Sequence, residues 1–326
     1  MTTQKHPLIC LPFPLSRVDN TPRELRDMFA KNSVNKDGVP VSDPVKEAGT
    51  LALETDPNLM YEHWDEYWRK IHGPKFIHKD NEHDDSTNYV MLYNQVHRLT
   101  GGPSSQFMPP YPPLLGSDGE LTTTPAEGVP AYKRPQWDGM AHICYNSISE
   151  VRKFFLTEKY QKKIIPDEAV FLRVALVFIS AQYIIIPGAE TPDPIVMVKF
   201  HTRKDGSRED FQKRLLWEHA DFVSSREATK KYATRYALLL NIGPNDKNDP
   251  LYQEAGQKVD AMAMMSFKNM TDCESYIAGP DYAAIAEAEE KFCIPEKSEW
   301  FTAINYNLVN KVGKEEATDR DLKPLE

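Results

Sequence analysis

Aromatic and apolar side chains recur at helical spacing between residues 64 and 72. The spacing i, i+3, i+4, i+7 and i+8 places them on one face of a helix; they are Trp64, Tyr67, Trp68, Ile71 and His72. Gly73 and Pro74 follow and are predicted to end the helix, because proline disfavours helical geometry in the residue before it. The aromatic stripe ends in a titratable side chain. It therefore forms either one wall of a ligand pocket or a core-facing surface whose histidine is merely hydrogen-bonded.

The rest of the hydrophobic pattern predicts the same order of elements twice. Alternating or continuous apolar runs predict strands, and segments with a 3.6-residue period predict helices. The first half is predicted to contain strands at 8–13, 89–97, 137–145 and 177–186, with helices at 64–72 and 149–171. The second half is predicted to contain strands at 195–201, 235–242, 259–267 and 300–309, with helices at 208–229 and 271–292. Each half therefore has the order strand, helix, strand, strand, helix, strand.

The two halves also match residue by residue. The run WDGMAHICYNSISE from Trp137 aligns with VDAMAMMSFKNMTD from Val259 at a constant shift of 122 residues, and a shift of 147 residues places His72 on His219. A duplicated βαββαβ pattern predicts two ferredoxin-like units, each with a four-stranded antiparallel sheet and two helices on one face. Both faces of the sheets carry apolar residues, so the two sheets are predicted to pack together. The predicted fold class is α+β: tandem ferredoxin-like units that form an intrachain dimeric α+β barrel, a pseudo-dimer.

The predicted domain organisation follows this repeat. The first unit is predicted to span residues 1–190, with insertions at 17–60 and 100–135, and the second unit residues 191–311. The insertion at 100–135 is rich in proline and aromatic residues, so it is either a lid over a site or a surface loop packed by its own side chains. Residues 312–326 are predicted to form a charged C-terminal tail that frays.

Charge and composition narrow the possible partners. The 326 residues carry a formal net charge of −9, which argues against nucleic acid or an anionic membrane surface as a partner, because both attract basic patches. No apolar run is long enough to span a bilayer, and the first 14 residues lack the features of a signal peptide, so a cytoplasmic location is predicted. The four cysteines form no CxxC pair and are predicted to be reduced and buried.

Two segments carry a family resemblance. The run YWRKIHGPKF, which begins at Tyr67, resembles the EthD-type signature of the dimeric α+β-barrel superfamily. The run that begins at Trp137 resembles the second half of the same domain, including its Asp-Gly strand start and the Pro-Asp-Glu near its helix end. The second unit keeps His219 but has Leu215 at the tryptophan position and Ala-Asp in place of Gly-Pro. A competent site is therefore less expected in the second unit, and the sequence leaves open which of the two units holds the site.

The resemblance implies a class of chemistry. Relatives of this fold include cofactor-free monooxygenases of aromatic polyketides, polyketide cyclases, isomerases and decarboxylases, and some relatives carry haem. It implies a small hydrophobic or aromatic substrate that lies between a sheet and its helices, proton transfer rather than metal chemistry, and possible homodimers. Haem is not expected, because the predicted helices at 149–171 and 271–292 contain no histidine.

Histidine and tyrosine residues are the candidates for that chemistry. Histidine takes and gives protons near neutral pH, and tyrosine can donate a hydrogen bond to a developing oxyanion. The predicted acid/base groups are His72 and His142, with Tyr93 or Tyr67 as the donor to oxygen; Met264 stands at the position of His142 in the repeat, so the fold does not require that histidine. The predicted substrate-binding residues are Trp64, Trp68, Tyr89, Tyr145, Phe107 and His219. A structural role is the alternative for each.

The function predicted first is a cofactor-free enzyme that acts on a small aromatic or polyketide-like compound by His/Tyr acid–base chemistry, as a lyase, isomerase or cyclase. One alternative is a cofactor-independent monooxygenase of a phenolic substrate, and another is a non-catalytic binding protein. No cofactor or metal is expected, because the chain lacks a Gly-rich phosphate loop, a GxSxG elbow and an HExxH motif. The acidic run HKDNEHDD at 78–85 matches no specific metal template.

Overall fold

This computed structural model describes residues 5–17, 60–99, 101–105 and 137–326. The strands of the first unit are β1 (Leu8–Arg17), β2 (Leu92–Arg98), β3 (Gly139–Tyr145), the short β4 (Leu172–Ala175) and β5 (Ile179–Ile186). Its helices are α1 (Met60–Tyr67), α2 (Ser86–Tyr89), α3 (Ile148–Leu156) and α4 (Ile165–Phe171). α1 continues through a π-helical turn (Trp68–His72) and a 3₁₀ turn (Gly73–Phe76), and α4 follows a π-helical turn (Tyr160–Ile164).

The second unit repeats this order. Its strands are β6 (Ile195–His201), β7 (Ala233–Gly243), β8 (Ala261–Phe267) and β9 (Trp300–Asn310). Its helices are α5 (Arg208–Arg214), α6 (Ala220–Ser225), α7 (Glu227–Tyr232), α8 (Met270–Ile277) and α9 (Pro280–Glu290), with a π-helical turn (Leu215–His219) between α5 and α6. Short 3₁₀ turns lie at Gly256–Lys258 and Pro295–Lys297.

The two sheets join at both edges and close a barrel. The strand order is β5-β1-β3-β2 in the first sheet and β9-β6-β8-β7 in the second, all antiparallel. β2 pairs with β9, and β5 pairs with β7, so that each unit's outer strands complete the other unit's sheet. Closure leaves no exposed edge among these eight strands. The predicted pseudo-dimeric α+β barrel of two ferredoxin-like units is confirmed.

Hydrophobic residues fill three layers: the barrel interior and one space between sheet and helices in each unit. Successive side chains of a strand point to opposite faces, so each strand serves two layers. On β3, Met140 and Cys144 pack in the interior cluster, whereas Ala141, Ile143 and Tyr145 pack towards the helices of the first unit. Both faces of β2, β3, β6 and β8 are therefore buried along their whole length, which determines where each candidate side chain can act.

Three local predictions differ from the structure. Tyr89 ends the short helix α2, and β2 begins only at Leu92. Pro74 does not end the helical path, since it occupies the first turn of the 3₁₀ segment, where a missing N–H costs nothing. The helix predicted over 149–171 is interrupted at Thr157, where α3 ends, and it continues past Pro166, which lies in the first turn of α4.

The C-terminal tail is ordered, contrary to the prediction that it frays. The guanidinium of Arg235 donates to both carboxylate oxygens of Glu315, at 2.7 and 2.8 Å. The backbone N–H of Thr318 donates to Ile184 O at 2.9 Å, and Thr318 is buried. These contacts hold the tail along the barrel wall.

Some predictions stay untested. The insertions at 17–60 and 100–135 lie almost entirely outside the described residues, so the lid stays a prediction, as does the domain boundary at residue 190. Within the described residues, no helix combines the length and the apolar character that crossing a membrane requires.

Candidate active site

A π-helical turn positions the key histidine of the first unit. In the turn Trp68–His72 the backbone N–H of Gly73 reaches back to Trp68 O, one residue farther than in an α-helix. The side-chain amide of Gln95 on β2 donates to the same carbonyl at 2.8 Å. A Cβ at position 73 would lie 2.6 Å from the Leu308 side chain, so only glycine lets the turn approach the sheet this closely. π-helical turns are frequent at functional sites.

Trp68 anchors this helix to the sheet. Its ring stacks on His97 of β2 with the centroids 4.1 Å apart, and its outer edge lies over Gly139 at the start of β3. A Cβ at Gly139 would come within 2.9 Å of the Trp68 ring. This contact gives a physical reason for the Asp-Gly strand start and the upstream tryptophan to occur together in one sequence.

His72 forms a buried pair with a carboxylate from α4. Its Nδ1–H donates to Asp167 Oδ2 at 2.7 Å, while the Tyr67 hydroxyl donates to Asp167 Oδ1 at 2.6 Å. Lys75 Nζ lies 3.4 Å from the same oxygen. Burial alone would raise the pKa of the Asp167 carboxyl, but the hydrogen bonds and charges of His72 and Lys75, with the Tyr67 hydroxyl, hold the pKa below its usual value. A permanent carboxylate therefore fixes the orientation and tautomer of the imidazole.

This geometry changes the role predicted for Tyr67. A phenol has one proton to donate, and that of Tyr67 goes to Asp167. Burial and the Asp167 charge raise the pKa of Tyr67, so it stays a neutral donor. Tyr67 supports Asp167 and is not available as a donor to substrate oxygen.

His72 lines an aromatic pocket between the sheet and the helices. The pocket encloses about 390 Å³, counting the part open to solvent. Its walls are mainly aromatic and aliphatic; they include Phe13, Trp68, Phe76, Tyr93, Ile143, Tyr145, Phe154, Tyr160 and Phe171. His72 Nε2 has no hydrogen-bond partner in the described part of the chain, so the nitrogen opposite the Asp167 contact remains available.

Two tyrosines give the pocket hydroxyl protons that are not committed elsewhere. The Tyr93 hydroxyl accepts a hydrogen bond from Gln95 Nε2 at 3.0 Å, which leaves its own proton free to be donated. The Tyr145 hydroxyl is fully buried and has no hydrogen-bond partner among the described residues. Because a buried polar group without a partner destabilises the folded state, an orphan hydroxyl in a pocket wall marks a place where a ligand atom can bind.

Glu168 adds an acid that sequence reasoning missed. The residue follows Asp167 on α4 and contributes to the pocket wall. Burial, together with the neighbouring negative charge of Asp167, raises the pKa of Glu168 to about 8. A carboxyl with this pKa is protonated near neutral pH and can give up its proton within the pocket.

Replacing Tyr145 with phenylalanine should raise the free energy of unfolding by about 1 kcal/mol, because it removes an unpaired buried hydroxyl. Replacing Tyr67 with phenylalanine should instead lower it by about 1.5–3 kcal/mol, because Asp167 loses a donor. Urea denaturation of both variants measures the difference. A loss of stability in Tyr145→Phe would mean that its hydroxyl has a partner in the protein.

Replacing Glu168 with glutamine should change how stability depends on pH. The folded-state pKa of about 8 lies above the usual 4.5, so the folded protein binds a proton that the unfolded chain releases between these values. Wild-type stability contributed by Glu168 is thus complete below about pH 4.5 and is lost as the pH rises towards 8. Across this range the free energy of unfolding of the variant should therefore rise by about 1–3 kcal/mol relative to that of wild type. This figure is smaller than the full pKa shift would give, because Glu168 is only half-buried. If urea titrations gave free energies of unfolding that depend on pH in the same way for both proteins, the raised pKa of Glu168 would be contradicted.

Several predicted site residues lie elsewhere. His142 faces the barrel interior, on the opposite side of β3 from the pocket, with its Nε2–H donating to Gln182 Oε1 at 2.6 Å. Trp64 packs behind Trp68 and donates from Nε1 to Phe171 O at 3.1 Å. The Tyr89 hydroxyl donates to Asp85 near the surface. Phe107 lies outside the described residues. The pocket thus unites His72, Trp68, Tyr93 and Tyr145 from the predicted set.

Buried charged side chains occupy the equivalent position in the second unit. His219 Nε2–H donates to Glu289 Oε1 at 3.1 Å, and Lys199 forms a close ion pair with the other oxygen of that carboxylate. Burial alone would raise the pKa of Glu289, but the Lys199 charge and the His219 hydrogen bond hold it well below its usual value. Nearby, burial lowers the pKa of His201 to about 3 against the opposing charge of Glu289.

The repeat explains how the two sites correspond. The shift of 122 residues that aligns β3 with β8 also places Asp167 on Glu289, so each unit holds its helix histidine with a carboxylate from its second helical segment. The pairing of β1 with β3 corresponds to the pairing of β6 with β8. In this correspondence Lys199 occupies the position that Phe13 has in the first unit. The histidine–carboxylate pair thus faces an aromatic pocket in the first unit, whereas in the second unit a lysine neutralises the carboxylate.

Together, the closed barrel of two ferredoxin-like units and the site between sheet and helices define a pseudo-dimeric α+β-barrel protein. A family model described as the EthD domain matches residues 56–174 and 203–295, which is more than half of the chain. The protein belongs to the EthD domain family, and the family resemblance of the sequence is confirmed. A search of curated proteins finds no match.

Solved structures with a similar fold share little sequence with this chain. A proposed monooxygenase from Fusobacterium nucleatum subsp. nucleatum is 7% identical, with a TM-score of 0.46 over 97% of this chain and 99% of that one. An anthrone oxidase-like protein is 9% identical, with a TM-score of 0.41 over 95% and 96%. Chlorite dismutase from Candidatus Nitrospira defluvii is 11% identical, with a TM-score of 0.38 over 92% of each chain.

Proposed function

We propose that the pocket of the first unit catalyses proton transfer on a small aromatic compound that carries a hydroxyl or carbonyl oxygen. The observation that carries the proposal is the buried His72–Asp167 pair at an aromatic pocket, with Nε2 of the imidazole uncommitted. Histidine held by a carboxylate is a general base near neutral pH, and the aromatic walls match a flat apolar ligand.

Each residue of the pocket has a separate chemical role in the proposed reaction, set by its position. His72 Nε2 removes a proton from the substrate, and Asp167 stabilises the imidazolium that forms while acting only as a positioning residue. The free protons of Tyr93 and Tyr145 stabilise the negative charge that develops on the substrate oxygen. Glu168, protonated near neutral pH, returns a proton at a second position. Removal at one atom and return at another is isomerase chemistry, after which His72 releases its proton to solvent and Glu168 takes one up. Departure of a leaving group that Glu168 protonates is lyase chemistry. Attack of the carbanion on a carbonyl carbon of the same substrate, with Glu168 protonating the alkoxide that forms, is cyclase chemistry.

A second candidate function uses the same base. If His72 deprotonates a phenol, the resulting anion can reduce oxygen directly in a water-poor pocket, which makes the protein a cofactor-independent monooxygenase. The observation that favours this candidate is the mainly aromatic and aliphatic lining, which offers few polar groups that could hold water next to a reactive anion.

One experiment separates these functions. The purified protein is incubated in D₂O with a panel of hydroxylated and oxo-substituted naphthalenes, anthrones and short aromatic polyketides, while dissolved oxygen is recorded. Proton-transfer chemistry predicts enzyme-dependent deuterium incorporation or loss of water or carbon dioxide without oxygen uptake. Oxygen uptake with a matching gain in product mass would support the monooxygenase instead. A ligand retained in native mass spectrometry, with neither exchange nor oxygen uptake across the panel, would contradict both and identify a binding protein.

Asp167 should act through His72 rather than on the substrate. Asp167→Asn keeps the shape of the side chain but removes its charge, so the tautomer of His72 is no longer fixed and the imidazolium loses its counter-charge. We expect a fall in kcat of about 10- to 10³-fold with KM little changed, because the aromatic walls that bind the substrate are untouched while the base is no longer held in place. A merely structural role would reduce stability without lowering kcat selectively, measured below the melting temperature of the variant.

A further inference from the structure

Two cysteines and a histidine meet inside the barrel, on the face of the sheet opposite the proposed active site. Cys10 on β1 lies directly across from Cys144 on β3, and His142 is two residues before Cys144, so its side chain points to the same interior face. One donor atom from each of the three side chains lies within 4.8 Å of the other two. All three residues are fully buried.

A fourth donor completes the cluster. Gln182 on β5 places its Oε1 2.6 Å from His142 Nε2 and 3.8 Å from Cys144 Sγ. The His142 Nε2 to Cys144 Sγ distance is 3.5 Å. Ligand atoms of tetrahedral zinc lie about 3.3–3.8 Å apart, given Zn–S bonds of about 2.3 Å and Zn–N bonds of about 2.0 Å. Small side-chain rotations on three rigid neighbouring strands are therefore enough to close the cluster around one ion.

We propose that Cys10, Cys144, His142 and Gln182 form a structural zinc site that fastens β1, β3 and β5 together inside the barrel. Two thiolates and one imidazole are ligands that zinc prefers, and the amide oxygen is the weakest donor of the set. Charge supports a divalent ion over a monovalent one. Two thiolates neutralise Zn²⁺ completely, and a neutral complex suits an interior otherwise filled by side chains such as Met140 and Met264.

The hydrogen bonds around His142 allow it to switch to a ligand. Asn94 Nδ2 donates to Nδ1 at 3.0 Å, so the proton sits on Nε2 and goes to Gln182. When zinc binds, both thiols release their protons, and the imidazole proton moves from Nε2 to Nδ1. A half-turn of the Asn94 amide then presents its Oδ1 to that proton, and the Asn307 amide, which otherwise donates from Nδ2 to Asn94 Oδ1 at 2.8 Å, turns with it so that its own oxygen accepts from Asn94 Nδ2. The ligand thereby gains the usual outer partner of a zinc-bound histidine.

A polar cavity lies beside the cluster. Asn94, Arg235, Asn305 and Glu315 line a space of about 410 Å³, counting its open part, between the barrel and the C-terminal tail. Asn305 Oδ1 in this cavity is buried without a hydrogen-bond partner among the described residues, so the cavity wall offers an acceptor to a hydrated cation. Asn94 borders both the cavity and His142, so the cavity and the cluster are separated by this side chain.

Metal titration of the full chain tests this proposal. The protein is stripped with a chelator, kept in a phosphine reductant so that no cysteine pair oxidises, and titrated with Co²⁺ as a spectroscopic probe and then with Zn²⁺. The expected result is one ion per chain, thiolate-to-cobalt charge-transfer absorption that zinc abolishes, and a melting temperature that rises with zinc concentration. Cys10→Ser and Cys144→Ser should each weaken zinc binding by at least about 100-fold, whereas Cys273→Ser, at a buried helical cysteine outside the cluster, should not.

A variant that carries the second unit's residue at position 142 is a control for misfolding. His142→Met introduces the residue that the repeat carries at this position, Met264, so it should fold and yet lose the imidazole component of the cobalt spectrum. The proposal is overturned by absence of stoichiometric zinc binding. It is equally overturned if Cys10→Ser and Cys144→Ser retain full affinity, or if Cys293→Ser, which removes a thiol 3.8 Å from His201 Nδ1, abolishes binding instead.

Discussion

Replacing His72 with glutamine is expected to lower the turnover of the substrate identified in the exchange experiment by about 10²- to 10⁴-fold, the usual contribution of a general base. Glutamine keeps a polar group near Asp167 but cannot accept a proton at neutral pH. The substrate still meets the aromatic walls, so its affinity should change little. The measurement is kcat and KM for wild type and variant at the same pH, and the loss should fall almost entirely on kcat.

The second unit offers a matched control for this prediction. His219 occupies the equivalent π-helical turn and contacts an equivalent carboxylate, but Lys199 neutralises that carboxylate. His219→Gln should therefore leave kcat unchanged when assayed below the melting temperature of both variants. Turnover that survives in His72→Gln and disappears in His219→Gln would move the reaction to the second unit and refute the proposed site.

The barrel and one wall of the site can be predicted from the sequence, because both follow from local or repeated patterns of residues. The helical spacing from Trp64 to His72 and the repeat at a shift of 122 residues are both visible without knowledge of long-range contacts. Strand alternation also places Tyr93 and Gln95 on one face, and the structure joins them by a hydrogen bond. These signals are short-range or repeated, and both kinds can be seen in one sequence.

The partners of the site cannot be predicted in the same way. Asp167 lies 95 residues from His72 in the chain and meets it only in the folded first unit. The sequence groups His142 with His72 because both are histidines of the first unit. Both faces of β3 are buried, so its hydrophobic pattern does not distinguish side chains in the barrel interior from side chains in the pocket. The one available signal is the repeat, since the shift of 122 residues places an acid at 167 and at 289.

The largest effect on stability is expected in the second unit, at Glu289. Glu289→Gln leaves Lys199 buried without a counter-charge, and breaking a buried ion pair in this way costs about 3–5 kcal/mol. The measurement is the free energy of unfolding from urea denaturation near neutral pH. A second change, Lys199→Met, should restore most of the loss, because an apolar side chain of similar volume needs no partner in this layer.

The pH dependence of the Glu289→Gln variant distinguishes an uncompensated charge from a packing defect. Without its partner, burial holds the pKa of Lys199 below its unfolded value of 10.5, whereas in wild type the Glu289 charge outweighs burial and raises it. In the variant the unfolded chain therefore binds the proton more tightly than the folded protein does, and stability rises with pH up to about 10. The deficit relative to wild type should shrink between about pH 7 and pH 10, while the double variant should show no such slope. A deficit that stays constant over this range would assign the loss to packing, and the charge network would then have no part in stabilising the second unit.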